Sequence, residues 1–202
     1  MTRWSEARWN LYAPLYDVLE GPTRAARARS LGMLDLHDGE RVLVSGCGTG
    51  LDLCLLPPHG LTIVGVDASG RMLDRAAARS LRVGVQAELR LMDATRTDFP
   101  DAAFDAVVLH LILAVVPDTP AVMREAARVL RPGGRACVFD KFVPGDRQPG
   151  VVRRGLDVAT RLFATSITRR LEDLVDPSQF VVERDEPSIL HGQFRVALLR
   201  RV

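Results

Sequence analysis

The chain has 202 residues, 47% hydrophobic and 26% charged, with a formal net charge of +2. This is the length of one domain with a sizeable core and the composition of an ordinary soluble protein, and so small a net charge does not by itself point to nucleic acid. No apolar run approaches the roughly 20 residues needed to span a bilayer, and the opening MTRWSEARWN has no apolar core, so it does not read as a secretory leader and a cytoplasmic protein is expected.

In chain order, short apolar runs alternate with helical patterns. Strands are expected at Arg41–Ser45, Leu61–Asp67, Leu89–Asp93, Phe104–Leu109 and Ala136–Phe142. Helical segments are expected near Leu51–Leu56, Ser69–Arg79 and Pro120–Leu130. The first four strand runs are apolar almost throughout, which suits strands covered on both faces. The alternation predicts an α/β fold, a parallel sheet with helices on both faces. The stretch RVLRPGGRACVF closes a helix with a Pro-Gly-Gly turn and begins the fifth strand. Beyond Phe142 the pattern changes. VPGDRQPG reads as a loop, and Val152, Leu156, Ala159, Phe163 and Ile167 then share one helical face. Two last strands, Phe180–Arg184 and Phe194–Leu199, suit an antiparallel pair joined by a connection without a clear helix. The expected organisation is an N-terminal segment over 1–35, a main domain over 36–202, and a helical insertion at about 146–175.

The stretch ERVLVSGCGTG places Gly46, Gly48 and Gly50 directly after the first strand. A dinucleotide fold wants G-x-G-x-x-G, with a small third residue where helix packs on strand. Counted from Gly46 that position is Leu51, and the observed G-x-G-x-G spacing is the form common in S-adenosylmethionine enzymes. A plain tight turn is the competing reading. Asp67 ends the second strand, 21 residues after Gly46, where a carboxylate can accept hydrogen bonds from both ribose hydroxyls. Ser69 is the better cap for the helix that follows. Asp93, at the end of the third strand, can accept from an adenine amino group, with the Ala94 amide beside a ring nitrogen.

Taken in order, VLVSGCGTG, VGVDASGRML, LMDATRTDFPDAAFDAVVLHLILAVVPD and RVLRPGGRACVF resemble the motifs of class I S-adenosylmethionine-dependent methyltransferases, over roughly residues 9 to 142. The resemblance implies a Rossmann-like seven-stranded sheet, mostly parallel with an antiparallel last strand. It implies S-adenosylmethionine as cofactor and S-adenosylhomocysteine as product. Three cysteines without paired spacing and four scattered histidines form no zinc pattern, so no metal is expected. By the resemblance, the loop of Gly46, Cys47, Gly48 and Gly50 approaches the methionine part of the cofactor. Asp67 with Ala68 holds the ribose, Met72 packs on the adenine, and Asp93 and Ala94 read the adenine edge. One position departs from the pattern. The family has Asp or Glu two residues before the first glycine, and this chain has Val44, so either binding is weaker or Tyr16, Asp17 or Arg24 compensates.

At the end of the fourth strand, where the fold faces the transferred methyl, stand Leu109, His110 and Leu111. His110 there takes or holds a substrate proton, or is a core histidine bonded to its neighbours. LHLILA lacks the proline and aromatic by which amino-directed DNA enzymes of this superfamily hold a flipped base, and none of the three cysteines has the Pro-Cys setting of cytosine methylases, so nucleic acid is not the expected partner. RWNLYAPLYDVLEG resembles the opening of quinone methyltransferases and bacterial phosphatidylethanolamine N-methyltransferases, in which it folds over the cofactor with Tyr12 and Tyr16 as its aromatic members. Tyr16 is thereby a catalytic as well as a cofactor-binding candidate. Lys141, the only lysine, is expected to act as a cation beside an anionic substrate group. Trp4, Trp9, Arg3, Arg8 and the arginine-bearing helix after Val151 suit peripheral contact with a membrane, against the alternative of a solvated basic face. The expected acceptor is a lipid amine or another small amphipathic molecule. A nicotinamide-dependent oxidoreductase, opposed by Leu51 and the absence of a Tyr-x-x-x-Lys pair, and a non-catalytic cofactor-binding protein are the competing readings.

Overall fold

A computed structural model describes residues 20–142 and 170–202. The expected insertion helix, Tyr16 and the N-terminal tryptophans lie outside them. Helix α1 (Glu20–Gly32) is followed by β1 (Arg41–Ser45), a 3₁₀ turn (Leu53–Leu55), β2 (Thr62–Asp67), α2 (Gly70–Val83), β3 (Ala87–Leu91) and β4 (Phe104–His110). Then come α3 (Thr119–Val129), β5 (Leu130–Lys141), β6 (Phe180–Pro187), the short α4 (Ile189–Gly192) and β7 (Phe194–Arg201). The seven strands form one sheet in the order β3-β2-β1-β4-β5-β7-β6. All pairs from β3 to β5 are parallel, whereas β7 runs antiparallel between β5 and β6. This is the Rossmann-like, mostly parallel sheet that the sequence leads one to expect.

Alternate residues of the central strands enter two apolar layers. Leu43, Val107, Leu109 and Val138 pack on the α3 side, and Val42, Val44, Val108 and Phe139 on the other. Each such buried side chain contributes about 1.5–3 kcal/mol. Two layers explain why these strands read as apolar runs without a polar face. Ser69 caps α2 by accepting from the Met72 amide, and Gly84 ends it in the left-handed conformation. Asp118 caps α3 by accepting from the Ala121 amide at 3.0 Å.

Among the boundaries that differ from the sequence expectation, three have a visible cause. β3 ends at Leu91 instead of Asp93, because Asp93 turns back to receive the Arg96 amide. β5 begins at Leu130, opposite Phe104, and the Pro132–Gly133–Gly134 turn survives as a bulge within it. β6 continues to Pro187, held in register by β7. Among the described residues, no helix is long and apolar enough to cross a membrane.

Candidate active site

The carboxyl ends of β1, β2, β4 and β5 share one edge of the sheet, and the strand order reverses direction between β1 and β4. Connections leave such a point towards opposite faces and open a crevice, where ligands of open α/β sheets sit. Gly46, Gly48 and Gly50 line that edge, all with positive φ. At Gly50 the requirement is close packing, since an added Cβ would lie 2.8 Å from the Ala76 Cα of α2. At Gly48 it is different. Its φ is +54°, yet an added Cβ would meet nothing within 4 Å, so bare backbone borders open space.

The Gly48 amide donates to Asp67 Oδ2 and the Ser69 amide to Oδ1, both at 2.9 Å. Each oxygen keeps lone pairs for further donors. Burial raises the Asp67 pKa from the usual range, against the opposing pull of the Ser69, Gly48 and Ala68 amides. A carboxylate in that condition gains from any further donor brought to it. Just past β3, Asp93 Oδ1 accepts from the Thr95 amide at 2.9 Å and its hydroxyl at 2.8 Å. Ala94 is half-buried against the α3-side core, Met72 is buried in the first turn of α2, and Ala68 is half-buried beside Asp67.

Other candidates stand differently from their expected settings. The Cys47 thiol turns down towards β2, 3.2 Å from where a Cβ on Gly65 would lie, and burial raises its pKa well above the usual range. Its backbone is engaged as well, the amide donating to the Val66 carbonyl at 2.9 Å and the carbonyl accepting from the Gly50 amide at 3.0 Å. Leu109 is fully buried in the α3-side layer, so its side chain belongs to the core. Arg24 is exposed on α1. The Lys141 ammonium rests 5.5 Å from the centroid of the Phe194 ring.

His110 has the core setting of the two that the sequence leaves open. Its side chain is 1% exposed, Nδ1 lies 2.8 Å from Asp52 Oδ1, and Nε2 lies 2.9 Å from Ser30 Oγ. Both ring nitrogens are therefore engaged. Asp52 is bonded in turn by the Arg27 guanidinium. Burial alone would raise the Asp52 pKa, but His110 and Arg27 beside it prevail and hold it well below the usual carboxylate range. Sequence reasoning passes over Asp52 and gives Asp140 no role. The signal for Asp52 is a lone acid inside the apolar run GLDLCLLP, with its cation 25 residues away on another element. Asp140 is fully buried at the end of β5, where it accepts from the Ala114 amide at 3.0 Å and the Lys141 amide at 2.7 Å. It thereby fixes the turn after β4, in which Leu111 takes a φ of +57°.

A glycine loop over open space, an acid at the next strand end and a second acid beyond it form the arrangement expected of a nucleotide-binding edge. Residues 43–138 match the family model of a methyltransferase domain. The chain is 39% identical over 141 residues to phosphatidylethanolamine N-methyltransferase of Cereibacter sphaeroides, covering 68% of this chain and 66% of that protein. It is also 39% identical over 126 residues to demethylmenaquinone methyltransferase of Mycolicibacterium paratuberculosis, covering 62% and 52%. The match thus spans between about half and two thirds of these relatives' lengths. Among solved structures, the [4+2]-cyclase SpnF aligns over 98% of this chain and 95% of that one, with a TM-score of 0.79 at 18% identity, a likeness of fold alone. The chain belongs to the class I S-adenosylmethionine-dependent methyltransferases, whose cofactor is S-adenosylmethionine.

Proposed function

We propose that the protein transfers the methyl group of S-adenosylmethionine to an amphipathic acceptor, and that this acceptor is the amine of phosphatidylethanolamine. The observation that carries the transfer reading is the juxtaposition of Gly48 and Asp67: bare backbone over open space, bonded at 2.9 Å to a carboxylate whose oxygens keep lone pairs for further donors. S-adenosylmethionine supplies a methyl group on a sulfonium, open to in-line displacement, so the chain's task is alignment. Asp67 suits the vicinal ribose hydroxyls, the Gly46–Gly50 loop the methionine part, and Asp93, Ala94 and Met72 the adenine. His110, with both nitrogens engaged, takes no proton in this reading. Residues 36–202 form the catalytic domain. α1 packs on the sheet, so the covering role within 1–35 falls to the part before it, including Tyr16.

Three features support the lipid amine. The relative from Cereibacter sphaeroides bears that activity in its name. The opening RWNLYAPLYDVLEG has the pattern of such enzymes. Lys141 can exchange its contact with Phe194, worth about 0.5–1 kcal/mol at an exposed site, for a lipid phosphate. A quinone acceptor is the second reading, favoured by the equally identical demethylmenaquinone relative.

Incubation with methyl-labelled S-adenosylmethionine tests the choice. Vesicles containing phosphatidylethanolamine and anionic lipid should acquire label, less so as salt screens Arg153, Arg154, Arg161, Arg169 and Arg170 from the surface. Label on a demethylated quinone with none on the lipid would replace the first reading by the second.

A further inference from the structure

Behind the glycine loop lies a buried polar chain that the proposed transfer does not use. It runs from Thr23 and Arg27 on α1 through Asp52 to His110 at the end of β4, and returns to α1 at Ser30. Asp52 is 2% exposed and Ser30 0%. Ser30, His110 and Asp52 have the spacing of a hydrolytic triad, but the Ser30 hydroxyl is enclosed and directed at the Val138 carbonyl, 3.4 Å away. A nucleophile must reach its substrate, so this set is not a hydrolase. Cys137 Sγ, 3.5 Å from His110 Nε2, closes the far side, and burial raises its pKa well above the usual thiol range.

Stability does not account for such a cluster. Apolar side chains of similar volume in place of a buried ion pair are often neutral or stabilising, whereas removing one partner alone costs several kcal/mol. What the charges supply is fixed geometry. Arg27 and Ser30, on one face of α1, grip an acid two residues beyond Gly50 and a ring at the end of β4. Three separate pieces of the site's frame, α1, the segment after Gly50 and the end of β4, are joined there by hydrogen bonds.

We propose that Asp52 is a positioning residue, which through Arg27 and His110 locks the glycine loop and the end of β4 to α1 in the conformation that accepts the cofactor. This rests on the glycine-loop reading of the site. Arg27→Gln breaks the bridge at its end farthest from the loop. It should raise the dissociation constant for S-adenosylhomocysteine at least tenfold by calorimetry, well below the melting temperature, and raise the cofactor KM while leaving kcat within about threefold. The triple variant Arg27→Met/Asp52→Leu/His110→Leu should melt near the wild-type temperature and still bind weakly. A triple variant that binds the cofactor like the wild type would overturn the proposal, since the cluster would then be replaceable filling. Asp67→Ala separates the two levels: if it binds normally, the site reading itself fails, and if it alone loses binding, only the role of Asp52 does. Should the variants fail to fold, the wild type still decides. S-adenosylhomocysteine should slow amide exchange across Arg27–Gly32, and unchanged exchange there would refute the lock.

Discussion

Asp140 shows how one carboxyl group can tie the active-site edge to pH. Its burial is the larger influence and pushes its pKa up to about 6, although the Lys141 and Ala114 amides and the Lys141 charge pull the other way. In an unfolded chain an aspartate titrates near 4. Between about pH 4 and 6 the folded chain therefore holds a proton that the unfolded chain has released. The resulting stability is fully present below about pH 4 and is lost as pH rises through 6, about 3 kcal/mol over the whole window. Asp140→Asn removes this titration. Relative to the wild type, the variant should lose about 1 kcal/mol of stability when pH falls from 7 to 5, read from urea midpoints. A difference that stays constant with pH would place the Asp140 titration outside this range.

At the scale of elements, the loop between β1 and the 3₁₀ turn divides its glycines by purpose. Gly50→Ala puts a Cβ 2.8 Å from the backbone of α2 at a φ of +83° and should destabilise by about 2–5 kcal/mol, strain and overpacking together. Gly48→Ala meets no protein atom, so it should cost only about 1–2 kcal/mol of strain but weaken cofactor binding. Urea denaturation and calorimetry on the pair check both halves, and normal cofactor binding by Gly48→Ala would mean that the open space is not the cofactor's. The glycine loop, Asp67 and Ser69 were legible in the sequence because their meaning is local: each stands at a fixed offset from a strand or a helix start. The sheet was legible for the same reason, its buried strands being written as apolar runs. β3 was read two residues too far along, because Met92 still bonds to β2 through the Asp67 carbonyl while Asp93 already turns. The partner of Asp52 was not legible at all. Arg27 is one of many arginines in this chain, and only the packing of α1 against the sheet selects it.

For the whole molecule, binding and folding share one equilibrium. S-adenosylhomocysteine at a hundred times its dissociation constant should add about 2.7 kcal/mol to stability, and so raise the melting temperature by roughly 5–10 °C for a domain of this size. A nicotinamide dinucleotide at the same concentration should not. The absence of any shift with the first, measured by calorimetric scanning, would count against the cofactor assignment. The placement of β7 bears on how the protein is made. This strand, the last of the described strands in sequence, lies inside the sheet and pairs with β5 through seven residues and with β6 on its other side. Until Phe194–Arg201 has emerged from the ribosome, β5 presents an open outer border and β6 has no neighbour among the described strands. That half of the sheet therefore cannot close until β7 has emerged, and for that interval β5 and β6 each carry a strand edge that β7 will later cover, the form in which sheets recruit chaperones or one another.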